Sequence, residues 1–368
     1  MIHNVISMSG GKDSTAMALL AIERGAENLH LVFADTGHEH RQTYQYVDYL
    51  EHRLGVKIER VKADFTRVIA GKRAYIEKHW LNDLTKDEPG YWDWDGDDDD
   101  QPETYPGPPS DESRPCEITF PGGTLEWIPP KKGMSIHDAS ERVERALALL
   151  YPTGIPFLDL CLWKGRFPST KARFCSTELK HVPLNDYCRQ VANGAQAVIS
   201  WQGVRRQESP ARAGLAERDV ELGVWEPEPR GFLIYRPILD WTIEDVFAMH
   251  KRHGVEPNPL YKQGMGRVGC MPCIHASKDE LRNIAMRFPE EIERVAEWER
   301  LVSQAAKRGV STFGALAIGK ENVTLEEYGI ANVIDWARTS RGGKQRDLIH
   351  MIEEQDVPIC SSQYGLCE

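Results

Sequence analysis

The apolar run Val5-Ile6-Ser7-Met8 passes directly into Ser9-Gly10-Gly11-Lys12-Asp13-Ser14-Thr15, and residues 15–24 continue with helical spacing. A strand that ends in a glycine-rich turn and opens a helix is an anion site. Glycines let the backbone approach a phosphate, successive N–H groups converge on its oxygens, and the positive end of the helix dipole faces the same point. Lys12 and the hydroxyls of Ser9, Ser14 and Thr15 complete the cradle. The spacing is not that of a P-loop, which separates its first glycine from the Gly-Lys pair by four residues. An ordinary turn with an N-cap is the plainer reading of the same residues.

Five short β-like runs, 4–8, 29–34, 57–61, 197–202 and 232–235, are separated by stretches long enough for helices, with helical candidates at 15–24, 41–54 and 184–192. That alternation predicts an α/β fold: a parallel five-stranded sheet with flanking helices and right-handed crossovers. Ligands of such sheets bind at the carboxyl ends of the strands. Two further segments fall there. Asp35-Thr36-Gly37 follows the second run, and the negative Asp35 suits ribose, adenine or a metal ion better than phosphate. Gly203-Val204-Arg205-Arg206 through Arg212 follows the fourth run and suits forked binding of a sulfate, phosphate or carboxylate.

Periodicity disappears between 82 and 132, where composition shifts to Asp, Pro, Gly and Trp, including Trp92-Asp93-Trp94-Asp95 and the run 97–100. The expected organisation is a nucleotide-binding α/β domain from 1–81 and 133–250, an acidic irregular insertion at 82–132, and a mostly helical region at 251–368. Helical spacing resumes at 135–150, Thr242 caps a helix ahead of Glu244 and Asp245, and 289–309 forms a charged amphipathic helix.

No run of about 18 apolar residues exists and residues 1–4 do not open a secretory leader, so no membrane partner is expected and the chain reads as cytoplasmic. There the eight cysteines suit metal binding or catalysis better than disulfides. A net charge of −11 argues against wholesale coating of nucleic acid while leaving room for a local basic stripe. One such cluster is 338–346.

Together the Ser-Gly-Gly-Lys-Asp-Ser loop, Phe33-Ala34-Asp35-Thr36-Gly37 followed by Thr43, residues 173–183 around Cys175, the segment 203–212, and Asn258-Pro259-Leu260-Tyr261 through Cys270-Met271-Pro272-Cys273 resemble the phosphoadenosine phosphosulfate (PAPS) reductase family. That family lies within the PP-loop pyrophosphatase (adenine nucleotide alpha hydrolase-like) superfamily. The resemblance implies that Ser9, Gly10, Gly11, Lys12, Asp13, Ser14 and Thr15, with Asp35, Thr36, Gly37, Gly203, Arg205 and Arg212, bind nucleotide, and that Mg²⁺ bridges the phosphates of ATP. It implies a 4Fe-4S cluster on Cys175, Cys270 and Cys273, with either a fourth ligand from elsewhere, Cys360 being the most available, or one iron left without a protein ligand. Ser176 stands where cluster-bearing relatives carry a second adjacent cysteine. Zinc is the alternative, since a two-residue spacing serves either metal.

The resemblance assigns catalysis to Lys12, Asp13 and the tail thiol Cys367, which follows Gly365-Leu366 where reductases of the family place a nucleophilic cysteine before such a pair; a tail thiol serves as persulfide carrier, reductase nucleophile or cluster ligand. The intact loop favours an AMP-forming, ATP-dependent iron-sulfur sulfurtransferase acting with a nucleic-acid substrate or a sulfur-donor protein. Thiol-dependent reduction of PAPS or its non-phosphorylated analogue is the first alternative. A non-catalytic nucleotide- or nucleic-acid-binding subunit with a structural metal is the second. A homo-oligomer or multi-subunit complex is expected in each case.

Overall fold

In chain order the elements are β1 (Ile2–Met8), α1 (Lys12–Glu23), β2 (Leu29–Ala34), α2 (Arg41–Leu54), β3 (Ile58–Val61), and α3 (Thr66–Tyr75), which passes through a π turn (Ile76–Trp80) into α4 (Leu81–Thr85). Then come β4 (Tyr91–Gly96), β5 (Cys116–Phe120), β6 (Gly123–Ile128), α5 (Ile136–Leu149) and α6 (Pro156–Lys164). A short α7 (Phe174–Ser176) runs through a second π turn (Thr177–His181) into α8 (Val182–Ala192). After these lie β7 (Ala197–Trp201), α9 (Pro210–Ala213), β8 (Arg218–Val220), β9 (Phe232–Tyr235) and α10 (Ile243–Arg252). The chain ends with α11 (Lys278–Arg287), α12 (Pro289–Ala305), α13 (Leu325–Tyr328) and α14 (Ile330–Ala337). This computed structural model describes residues 1–96, 102, 104–120, 122–220, 232–314, 322–339, 362–364 and 366.

The chain divides into two units, one of residues 1–67 and 151–368 and one of residues 68–150. In the first, a six-stranded sheet runs in the order β3-β2-β1-β7-β9-β8. The five expected strands are parallel, and β8 pairs antiparallel with β9. The sheet is therefore mixed and one strand wider than the sequence reading. Arg218-Asp219-Val220 is too short and too charged to show a period-2 pattern, as suits an edge strand.

Alternation along β1 sends Ile6 to one face and Val5 to the other. Ile6 joins Leu31, Phe33, Ile58 and the buried face of α1, and Val5 joins Val32, Val198 and Cys188 of α8. Ala16, Ala18 and Ala21 are fully buried, and their small side chains let α1 lie close upon the sheet. Both faces are thus covered, which fixes the strand ends as the open edge.

The second unit holds an antiparallel sheet in the order β4-β6-β5. Residues 82–132 are consequently not irregular throughout. Trp92 packs edge-on against Trp127 at 5.3 Å, and Trp94 against Phe120 at 6.1 Å. Register sets Asp93 opposite Glu126 and Glu126 opposite Glu117 on the other face. The aromatic layer supplies what a three-stranded sheet needs to hold together. The run 97–100 lies outside the described residues.

Candidate functional site

The site begins where β1 stops. Gly10 has φ +69°, and a Cβ there would come within 3.0 Å of Thr43 Cγ2. Only glycine meets both demands. Gly11 is the N-cap of α1 and offers no side-chain cap, and in the first turn the Lys12 N–H goes to the Tyr261 hydroxyl. The loop is braced from within: Ser9 N–H donates to Ser14 Oγ at 3.1 Å, and the Ser14 and Thr15 hydroxyls donate to Gly11 O at 3.1 and 3.0 Å. Thr15 and Ser14 therefore shape the turn.

Asp13 is the electrostatic centre of the loop. One carboxylate oxygen accepts from Lys12 Nζ at 2.8 Å and the other from Arg205 Nε at 2.6 Å. Two cations share one anion in a region where Lys12 and Arg205 are only 7 % and 3 % exposed. Among the described residues Arg205 Nη1 is buried with no hydrogen-bond partner. An unpaired guanidinium N–H at such a point is costly and asks for an acceptor. Gly203 lies against the backbone of Asp13, where an added Cβ would be 3.5 Å from its carbonyl carbon. Arg212 pairs with Glu208, which accepts the Arg205 backbone N–H at 2.9 Å. Arg212 thus reaches the site through Glu208 and Arg205.

At the end of β2, Asp35 accepts from Gly37 N–H at 2.9 Å and Tyr44 Oη at 2.8 Å, and pairs with Lys62 at 2.8 Å. Tyr44 Oη also lies 3.0 Å from Glu39 Oε2, so its one proton faces two carboxylates, and burial together with them pushes its hydroxyl far above the usual tyrosine range. Thr36 donates to the other Glu39 oxygen at 2.7 Å. Gly37 has φ +70°, and a Cβ there would meet Pro156 Cδ at 2.9 Å.

One segment, residues 258–273, fastens both loops. Asn258 Nδ2 donates to Gly10 O at 3.1 Å, and Lys12 N–H donates to Tyr261 Oη at 3.0 Å. Further along, Cys270 bridges to Glu39, and its Sγ lies 3.5 Å from Thr36 Oγ1 and 3.9 Å from Glu39 Oε1. Met271 N–H donates to His38 O at 2.8 Å. His38 Nε2 lies 2.9 Å from Pro272 O, while Arg294 donates to His38 Nδ1 at 3.1 Å and to Met271 O at 3.0 Å. Burial, then Arg294, holds the His38 imidazole well below the usual histidine range, so it is neutral with its proton on Nε2.

The three cysteines of the expected metal set share one electrostatic neighbourhood. Burial pushes Cys270 up to about 11, with Lys180 opposing. Burial and then Cys273 raise Cys175, again against Lys180. The Lys180 ammonium is itself favoured by Cys270 first, then Glu39 and Cys273, against its burial. Cys161, which is fully buried, is raised by burial and by Cys175. Among the described residues no three His, Cys, Asp or Glu side chains converge tightly enough for a single metal ion. Cys360 and Cys367 lie outside the described residues, as does 340–346 of the basic cluster.

Sequence reasoning assigned no role to Lys180, His38, Glu39, Tyr261, Arg294 or Tyr364. Tyr364 Oη donates to Gly266 O at 2.6 Å, and its ring centroid lies 5.4 Å from Lys12 Nζ. The Gly37-His38-Glu39-His40 run after Thr36 was an available signal, three titratable residues directly beside a proposed ligand loop.

Among the described residues no helix is long and apolar enough to cross a membrane. The chain matches the phosphoadenosine phosphosulfate reductase domain over residues 3–90 and 161–276. It is 50% identical over 377 residues to an uncharacterized 37.8 kDa protein in the gpa 5' region of Escherichia phage 186, covering 99% of this chain and 96% of the relative. It is 38% identical over 119 residues to adenosine 5'-phosphosulfate reductase of Neisseria meningitidis serogroup B, 31% of this chain and 44% of that enzyme, less than half its length. The PAPS reductase of Candida auris, solved as a phosphate complex, is similar at a TM-score of 0.35 and 14% identity, over 73% of this chain and 80% of that one. By the domain match, the chain belongs to the phosphoadenosine phosphosulfate reductase family of the adenine nucleotide alpha hydrolase-like superfamily.

Proposed function

We propose that the chain is a thiol-dependent sulfonucleotide reductase. The observation that carries this reading is the span 258–273, which ties the glycine loop at Gly10 and Lys12 to the Asp35 loop and brings Cys270 against Thr36. The reductases among its relatives support it. In this reading Lys12 and Arg205 hold the phosphate end of the nucleotide, and the free N–H of Arg205 is filled on binding. Lys180 steadies negative charge beside the thiols.

The Cys367 thiolate attacks the sulfonate sulfur; an S–S bond forms, the S–O bond breaks, and the nucleotide phosphate leaves with the electron pair. A thiol of a dithiol protein then attacks Cys367 Sγ and sulfite departs with the S–S bonding pair. Sulfur gains two electrons, and two thiols become a disulfide, which the second thiol of the dithiol resolves. Cys175, Cys270 and Cys273, with Cys360 as fourth ligand, would hold a 4Fe-4S cluster, which when bound supplies a charged centre beside the sulfonate. A cluster takes one thiolate per iron, so its ligands stand wider apart than those of zinc.

One observation favours a second reading, ATP-dependent sulfur transfer with pyrophosphate release: the loop keeps Ser-Gly-Gly-Lys-Asp-Ser, with Lys12 buried at its centre. An anaerobic assay separates the two. Incubation with adenosine 5'-phosphosulfate or PAPS and a dithiol should release sulfite. Pyrophosphate from labelled ATP without sulfite replaces the first reading by the second, and neither product leaves a nucleotide-binding subunit.

A further inference from the structure

Val246 and Met249 of α10 pack with Met17 and Leu20 of α1 in one apolar cluster. His250 completes the buried face of the same helix at 1 % exposure. An apolar side chain would close that face at less cost, because a polar ring taken from water must recover its hydrogen bonds inside. The histidine recovers one across the chain: its Nε2 lies 2.9 Å from Lys12 O. A carbonyl oxygen only accepts, so Nε2 carries the proton. Nδ1 is left buried with no hydrogen-bond partner among the described residues. Burial, before any other cause, holds the imidazole below the usual histidine range, so the ring is a neutral donor at neutral pH.

Lys12 is the first residue of α1. A helical carbonyl in that place accepts the N–H four residues on, and its second lone pair goes to His250. On the other side of the residue, the Lys12 N–H donates to Tyr261 Oη at 3.0 Å. The Phe247 ring neighbours both holders, its centroid 6.0 Å from that of His250 and 6.3 Å from that of Tyr261. Both backbone groups of Lys12 are therefore gripped by side chains 238 and 249 residues away. From a backbone held in this way the ammonium reaches Asp13 Oδ2 at 2.8 Å, on the carboxylate that Arg205 shares.

We propose that His250 is a positioning residue for the glycine loop: by donating to Lys12 O it fixes the first turn of α1, so that the Lys12 ammonium and the loop N–H groups meet a phosphate in one arrangement. The proposal goes beyond the reductase reading, since it holds for any chemistry of the nucleotide, but it rests on the loop being the phosphate site. A loop already fixed in its binding form loses less freedom when the ligand arrives, so the brace acts on affinity. A neutral donor also leaves the balance of Lys12, Asp13 and Arg205 untouched, which a lysine or arginine in its place would not.

The test compares His250→Gln, His250→Asn and His250→Leu in the full chain, each checked for folding by near-UV circular dichroism. The glutamine amide nitrogen can take the place of Nε2, the shorter asparagine amide takes that of Nδ1, and leucine fills the space without a donor. AMP is the probe, titrated by calorimetry, because reduction of adenosine 5'-phosphosulfate and AMP-forming use of ATP both release it. Its affinity should fall about tenfold in the asparagine and leucine variants, the scale of one lost buried hydrogen bond, and glutamine should recover most of the loss. Amide hydrogen exchange of residues 9–16 without nucleotide should accelerate in the same two variants and not in the glutamine one. A residue that only filled space would leave asparagine and glutamine alike. Unchanged AMP affinity in the asparagine and leucine variants, or equal weakening by asparagine and glutamine, overturns the proposal. If the unsubstituted chain binds no AMP while exchange still separates glutamine from asparagine, the nucleotide reading falls and the brace stands; equal exchange in those two removes the brace itself.

Discussion

The glycine loop at 9–15 and the thiol turn at 270–273 meet the same strand edge but are built in opposite ways. The first is local: β1, the turn and α1 are contiguous, and its inner hydrogen bonds join residues at most five apart. The second has almost no local support. Its cysteines and carbonyls are held by Thr36, His38 and Glu39 from one loop, Arg294 from α12 and the charge of Lys180. A glycine turn can thus be encoded by a short string, while the cysteine turn is imposed from distant positions. Damage should therefore spread differently from each.

The largest effect should come from Lys12→Met. It removes the cation that the proposed function assigns to the nucleotide phosphates but leaves Asp13 paired with Arg205. Turnover in single-turnover assays should fall about a hundredfold or more, the scale of losing one electrostatic contact in a dry site. Alkylation rates of Cys270 and Cys273, followed by peptide mass spectrometry, should be unchanged. If they rise as well, the two regions are not separable.

His38→Leu tests the other side. The substitution removes the donor to Pro272 O and the acceptor for Arg294 in one step, while the glycine loop is untouched. Alkylation of Cys270 should accelerate about tenfold, the equivalent of one lost buried hydrogen bond, with AMP affinity preserved. His38→Gln, which can still donate to Pro272 O, should recover part of the difference. Equal acceleration at Cys188, buried under the sheet far along α8, would mean that the whole fold had loosened.

The same contrast explains what the sequence disclosed. The glycine loop, the five parallel strands and the Thr242 cap were legible because each is written within about ten consecutive residues. β8 was not, since three edge residues, two of them charged, carry no period. The sheet of the second unit was half visible: Trp92-Asp93-Trp94-Asp95 alternates aromatic and acidic residues, but the neighbouring aspartate run masked it as a solvated stretch. Cys270 and Cys273 were visible by spacing, whereas Lys180 and His38 acquire meaning only once β2, the π turn and α12 are brought together. Long-range pairing leaves no local signature.

The smallest predicted effect sits where the two regions join. Tyr261 belongs to the strap that ends in the thiol turn, yet its hydroxyl accepts the Lys12 backbone N–H, and its ring centroid lies 5.7 Å from Lys12 Nζ. Burial holds this hydroxyl far above the usual tyrosine range, so it remains neutral across the working pH and acts as a fixed acceptor. Tyr261→Phe keeps the packed ring and deletes one oxygen. A buried N–H is then unsatisfied, which should lower stability in urea by about 1 to 2 kcal/mol. Bound nucleotide can supply a replacement acceptor at the same N–H, so a saturating nucleotide should return part of that loss, beyond the ligand stabilisation seen in the unsubstituted chain. Equal stabilisation of both proteins would place the nucleotide away from Lys12 N–H, and the phosphate cradle would then have to be drawn from Arg205 and the Asp35 loop alone.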